Sequence, residues 1–195
     1  MPQVTRVVAG KRNPGRVNIY IDGTFGFAIS LEMVVRDGIR RGADLSEEVI
    51  ASYKASDAKE KLYGKVLNFL SYRPHSVREV RDRIHHYAPD TTKEEIDTLV
   101  GRLTRDGYLS DDEFAKWFAG SRASNRPRSR RALFAELVRK GVEKVVIESV
   151  LPERDLEAIR AAISRRKNLP KEKLMRYLAR QGFSYDDIKA ALLEE

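Results

Sequence analysis

The sequence predicts a mainly α-helical chain: three tandem three-helix, helix-turn-helix-like repeats forming an elongated curved array, preceded by a small N-terminal α+β module with a β-hairpin. Three observations carry that expectation. Leu133, Leu137, Gly141, Ile147 and Leu151 recur without a gap as Leu174, Leu178, Gly182, Ile188 and Leu192, and Arg139 is matched by Arg180. Each copy reads as helix, glycine turn, helix, and a fainter copy places Pro74, Val80 and Ile84 where Pro127, Leu133 and Leu137 stand. Strand signals are confined to the chain before Asp57.

In that first part, Val4 to Ala9 and Arg16 to Asp22 are rich in β-branched residues. Asp22-Gly23 has the form of a primed hairpin turn, and Phe25, Phe27 and Ile29 alternate after it, which puts all three on one apolar face. Lys11-Arg12 with Asn13-Pro14-Gly15 makes a turn between the first two strands. Leu31 to Gly38 reads as a short helix closing on glycine, and Ser46 before Glu47 and Glu48 caps the start of another. This module covers residues 1–55.

Helical periodicity then takes over. In residues 58–109, Leu62, Val66, Leu67, Phe69 and Leu70 form one face of a helix ending near Tyr72, before Arg73-Pro74. Val77, Val80 and Ile84 mark the next helix, and a Thr92/Glu95 capping box opens a third that stops at Asp106-Gly107. Residues 110–151 start at Ser110 with Glu113 as its capping-box partner, and bury Phe114, Trp117 and Phe118. The middle helix there follows Arg126-Pro127 and the last follows Gly141. Residues 152–195 run through Leu156, Ile159 and Ile163, then Leu174 to Leu178, then Ile188 to Leu193. Units of roughly 40–50 residues are small for a lone core, so neighbours must share burial, and an extended array suits a long partner better than a small ligand.

The chain carries a net charge of +8. Nearly all of the excess lies between Lys116 and Lys140, where Lys116, Arg122, Arg126, Arg128, Arg130, Arg131, Arg139 and Lys140 face Glu136 alone. Charges within a Debye length of about 8 Å act together on a polyanion. These eight residues are the expected DNA- or filament-binding set, and Arg165, Arg166, Lys167, Lys171 and Lys173 form a secondary basic cluster that extends the track. The plainer alternative for either group is a solvated helix face or turn.

Catalytic apparatus is not expected. With no cysteine, there is no disulfide framework, thiolate metal site or cysteine nucleophile, in keeping with a reducing cytosol. His85 and His86 are adjacent on a helix and point about 100° apart, which defeats chelation of one ion. Neither a phosphate loop nor a nucleophile elbow occurs. Asp111, Asp112 and Glu113 sit where a helix start favours acids, Phe114, Trp117 and Phe118 are spaced as a core stripe, and Tyr72 and Tyr108 fall at exposed helix ends. No metal, cofactor or catalytic residue is expected. Met1 to Gly10 lacks the apolar stretch of a signal peptide, and no run is long enough to span a bilayer, so a cytoplasmic protein is expected.

Three stretches resemble the RecX family, bacterial regulators of the RecA recombinase: Leu70-Ser71-Tyr72-Arg73-Pro74, LTRDGYLSDDEFA from Leu103 to Ala115, and Asn125-Arg126-Pro127-Arg128. The resemblance covers roughly residues 58–195, and the N-terminal module resembles an extension found in part of the family. It implies a crescent of three-helix repeats lying in the groove of a RecA filament on single-stranded DNA, suppressing ATP hydrolysis, strand exchange and coprotease activity. The implied partners are the RecA filament, single-stranded DNA and, as a further candidate, double-stranded DNA, with no membrane and a monomeric chain.

The residues alone leave two rivals. One is a stand-alone DNA-binding protein, although the arginine-led helix of the middle unit offers no Asn or Gln for reading adenine. The other is a protein-interaction scaffold whose basic patch meets an acidic protein.

Overall fold

The computed structural model describes residues 1–11, 13, 15–125, 127–166 and 168–193, with residues 123–125 described by their backbone alone. The chain forms two compact units, Met1–Lys65 and Val66–Glu195.

The first unit holds an antiparallel sheet, β1 (Val4–Ala9), β2 (Arg16–Ile21) and β3 (Thr24–Ser30), in sequence order. Between β1 and β2, Asn13 accepts hydrogen bonds from the amides of Gly15 and Arg16, while Arg12 and Pro14 of the expected turn lie outside the described residues. The β2–β3 turn is left-handed at both central residues, Asp22 at φ 47° and Gly23 at φ 83°, the primed geometry that matches strand twist.

Strict alternation fails three residues after the turn, at Gly26. Ile19 pairs with Phe27 and Tyr20 with Phe25, so Gly26 is an extra residue that bulges β3. Phe27 and Ile29 are buried, whereas Phe25 is turned to the opposite, open face and half exposed. There it packs edge-on against Tyr20 at 5.9 Å, with Arg6 over Tyr20 and Lys61 over Phe25. The buried face gathers Val4, Val17, Ile19, Ile21, Phe27 and Ile29 against Ile39 and Ile50. Helix α1 (Leu31–Arg36) is capped by Ser30.

Helix α2 (Glu47–Leu70) is one continuous element where the sequence suggests two. The weakly apolar stretch from Ala51 to Lys61 holds three Ala and three Lys, and that propensity carries the helix across it. The buried carboxylate of Asp57 fastens α2 to the sheet: it accepts from the Ala28 amide at 3.1 Å, from Lys61 at 2.8 Å and from Arg16. Asp57→Ala strands the Ala28 donor, and urea unfolding should show a loss of about 2–3 kcal/mol.

In the second unit, the end of α2 is followed by α3 (Val77–Tyr87) and α4 (Lys93–Arg105), then α5 (Asp111–Asn125), α6 (Arg130–Arg139) and α7 (Lys144–Val150), then α8 (Leu156–Ser164), α9 (Lys171–Arg180) and α10 (Tyr185–Leu193). Ser76, Thr92 and Ser129 cap α3, α4 and α6 by accepting amide hydrogens, and Thr92 with Glu95 completes a capping box. The second and third repeats have separate cores, one around Phe114, Leu133, Leu137 and Ile147, the other around Ile159, Leu174, Leu178 and Ile188. The matched apolar residues Leu133, Leu137 and Ile147, and Leu174, Leu178 and Ile188, are thus core residues of two separate small folds. Trp117 of the expected core stripe is instead 37% exposed, with Arg73 above its ring.

The joints between repeats are themselves repeated. Ser76 Oγ donates to the Lys140 carbonyl at the end of α6, and the first amide of α3, Val77, donates to Asp111 Oδ1 at 2.9 Å. One repeat on, the Ser129 amide donates to the Gln181 carbonyl at the end of α9, and the first amide of α6, Arg130, donates to Asp155 Oδ1 at 2.7 Å. The turn glycines lie in the same joints: a Cβ on Gly141 would stand 2.8 Å from Arg78 Cβ, and one on Gly182 would stand 2.7 Å from Ser129 Oγ. Each middle helix therefore sets its C-terminus against the N-terminus of the preceding one, an orientation favoured by helix dipoles. Asp111 is thus a joint residue as well as a helix-start acid; burial raises its pKa, as it does that of Asp155.

Candidate nucleic-acid interface

The fold delivers carboxylates that the local sequence count omits. Lys116 contacts Asp112 at 2.5 Å and Glu113 at 3.5 Å, one turn back on α5. Lys140 reaches Glu79 of the first repeat at 2.7 Å. Arg122 and Arg128 share Glu136, at 2.8 and 3.9 Å. Charge in the segment is therefore much less free than the sequence suggests. Arg131 and Arg139 are exposed on α6, and Arg126 lies outside the described residues.

The middle repeat nonetheless remains short of acceptors. The Nε atoms of Arg122, Arg128 and Arg130 are buried and find no hydrogen-bond partner among the described residues. Glu136 cannot supply them all, since it already receives Arg122 Nη2. The side chains of Arg122 and Arg128 are nonetheless 38% and 36% exposed, so their outer guanidinium nitrogens, not the buried Nε atoms, are open to an external oxygen-rich group such as a phosphate. Arg122 also lies 4.9 Å above the Phe118 ring, which orients it.

Next to this cluster, the joint between the first two repeats holds a polar knot. Glu79 accepts from Arg73 at 3.0 Å, from Lys140 at 2.7 Å and from His75 Nδ1 at 3.0 Å. Burial opposes the Glu79 charge, but hydrogen bonds from Arg73, Lys140 and His75 overcome it and hold the pKa at about 2. Burial lowers that of His75, whose ring packs on Phe69. Both groups have depressed folded-state values, so the stability they contribute falls with pH, first through His75 below its ordinary 6.5, then through Glu79 from 4.5 towards 2. Glu79→Gln should flatten the decline in the urea midpoint between pH 4.5 and 2; an unaltered decline would remove Glu79 from the account.

In the secondary cluster, Arg166 stacks 3.9 Å over Tyr177. Arg165, Lys171 and Lys173 are exposed, and Lys167 lies outside the described residues. The sequence reading missed Glu79, Arg73 and the joint acids Asp111 and Asp155 as partners. Their signal is the repeat itself, which aligns Ser76 with Ser129 and Val77 with Arg130.

Three family models match the chain: the regulatory protein RecX N-terminal domain at residues 2–46, the second RecX three-helix domain at 110–151 and the third at 153–192. Regulatory protein RecX of Bacillus licheniformis is 32% identical over 206 residues, spanning 100% of this chain and 78% of the relative. The chain belongs to the RecX family. Another RecX relative, the regulatory protein RecX of Bacillus subtilis, is 29% identical over 98% of this chain and 76% of its own length. The fold is shared with a crystal structure of regulatory protein RecX, at TM-score 0.71 and 21% identity over 98% of both chains. A RecX from Lactobacillus salivarius matches at TM-score 0.57 and 20% identity, over 71% of this chain and 97% of that one. By name these RecX relatives are regulators. Among the described residues no helix is long and apolar enough to cross a membrane.

Proposed function

We propose that this RecX-family chain is a negative regulator of RecA that binds along the groove of the RecA–single-stranded-DNA filament and inhibits its ATPase, strand-exchange and coprotease activities. The observation that supports this reading is the cluster of arginine side chains in the middle repeat, part-exposed at Arg122 and Arg128 and exposed at Arg131 and Arg139. Arg122, Arg128 and Arg130, with exposed Arg131 and Arg139, and Lys116 and Lys140 at the margins, form the surface offered to phosphate or to an acidic face of the filament, while Arg126 belongs to the set by sequence alone.

Electrostatic binding to DNA alone has dissociation constants of about 10⁻⁴–10⁻⁶ M at physiological salt, too weak for a selective regulator. Simultaneous contact with RecA and DNA joins two weak surfaces through effective concentration and separates a filament from naked DNA. The chain acts as a monomer in the cytoplasm, without cofactor or catalysis, and the basic residues of the third repeat lengthen the track.

Co-sedimentation tests this. The chain should pellet with RecA filaments on single-stranded DNA at concentrations where it pellets with neither RecA nor DNA alone. Equal pelleting with naked DNA would favour the stand-alone DNA-binding protein and overturn the proposal.

A further inference from the structure

The constant spacing of the repeats identifies one face that recurs on the three middle helices. It comprises Glu79, Asp82, Arg83 and His86 on α3, Ala132, Ala135, Glu136 and Arg139 on α6, and Lys173, Arg176, Tyr177 and Arg180 on α9. These positions are spaced i, i+3, i+4 and i+7, so each set lines one side of its helix. On α3 and α9 the face borders an open concavity, of about 420 and 650 Å³ respectively.

The third position of each set makes a contact that has changed chemistry between copies. Arg83 lies over Phe69, Glu136 takes Arg122, and Tyr177 takes Arg166. Phe69 and Arg122 are themselves matched by the spacing that relates Arg83 to Glu136. Charge has diverged with the contact: the α3 face carries two acids, the α6 face carries Glu136, and the α9 face carries three cations and no acid. Among the described residues no carboxylate lies within ion-pair distance of Lys173, Arg176 or Arg180, and Arg176 Nε reaches only a main-chain oxygen, that of Glu172, at 3.4 Å.

We infer that the α9 face is a second anion site, one that binds the sugar–phosphate backbone of single-stranded DNA directly and needs no RecA to do so. The cations sit about 4.5 and 6 Å apart along the axis, on one line. A line of cations follows one strand. Leu169, at 38% exposed, and the Arg166-clamped Tyr177 border that line. Such apolar surface suits unstacked bases, which a duplex keeps inside and an acidic peptide lacks. The middle-repeat cluster differs from this site because its charge is shared with Glu136.

The test is fluorescence anisotropy of the full chain with a labelled thymidine oligonucleotide of about 20 nucleotides, enough to cover one site, across a salt series. Lys173→Ala/Arg176→Ala/Arg180→Ala should make the slope of log affinity against log salt shallower by about 2, at roughly 0.7 per lost single-strand contact. That is on the order of 100-fold of the affinity gained between 1 M and 0.1 M salt. Arg40→Ala/Arg41→Ala, exposed cations of the first unit, should leave the slope unchanged. Unchanged circular dichroism of the α9 variant ties the loss to charge, since all three side chains are exposed. An unaltered slope in the α9 variant overturns the inference. So does better competition by duplex DNA of equal length, or by poly-glutamate, or failure of the wild-type chain to bind the oligonucleotide. Because RecA is absent from the assay, none of these outcomes bears on filament inhibition.

Discussion

Gly141→Ala and Gly182→Ala should each destabilise the chain by about 2–4 kcal/mol in urea unfolding, whereas Gly107→Ala should cost only about 1–2. All three glycines have left-handed φ, at 83°, 90° and 78°, so backbone strain is common to them. They differ in surroundings. A Cβ at 107 meets nothing within 4 Å, but at 141 it strikes the stem of Arg78 and at 182 the Ser129 hydroxyl that caps α6. Displacing Ser129 also endangers the hydrogen bond from Ala132, so the excess cost reports the joint between repeats. Equal costs at the three sites would mean that the joints contribute nothing.

The second large effect is expected at the interface. Arg130→Ala/Arg131→Ala/Arg139→Ala should raise the concentration of chain needed to inhibit the RecA filament at least about tenfold, and weaken its salt dependence. Lys116→Ala should change it less than about twofold, because Asp112 and Glu113 already hold that ammonium. Arg130 offers its amide, not its side chain, to Asp155, so the triple substitution leaves the joint standing. A larger effect from Lys116 than from the three arginines would move the interface to α5.

Much of the fold was legible because the repeat exposes which residues are core. Leu133, Leu137, Leu174 and Leu178 are buried at matched positions, and Gly141 and Gly182 end the helices they were expected to end. The primed turn at Asp22-Gly23 and the capping box at Thr92 are local devices, decided by a few neighbouring residues. Phe25 was misplaced because a period of two has no provision for an inserted residue, and Gly26 inserts one. The break in α2 was expected where apolar periodicity fades, but helix formers bridge the gap.

The interface was the least legible part, for an electrostatic reason. Counting charge along the chain assigns each cation only its neighbours, while Glu79 reaches Lys140 from the first repeat. The repeat does hold the lesson: once Arg83 and Glu136 are aligned, the partners Phe69 and Arg122 align too.

The most direct measurement is RecA's single-stranded-DNA-dependent ATP hydrolysis, titrated with the wild-type chain beside the Arg130/Arg131/Arg139 alanine variant. The account predicts progressive inhibition by the wild type and little by the variant at equal concentration. Hydrolysis unchanged by the wild-type chain would contradict it.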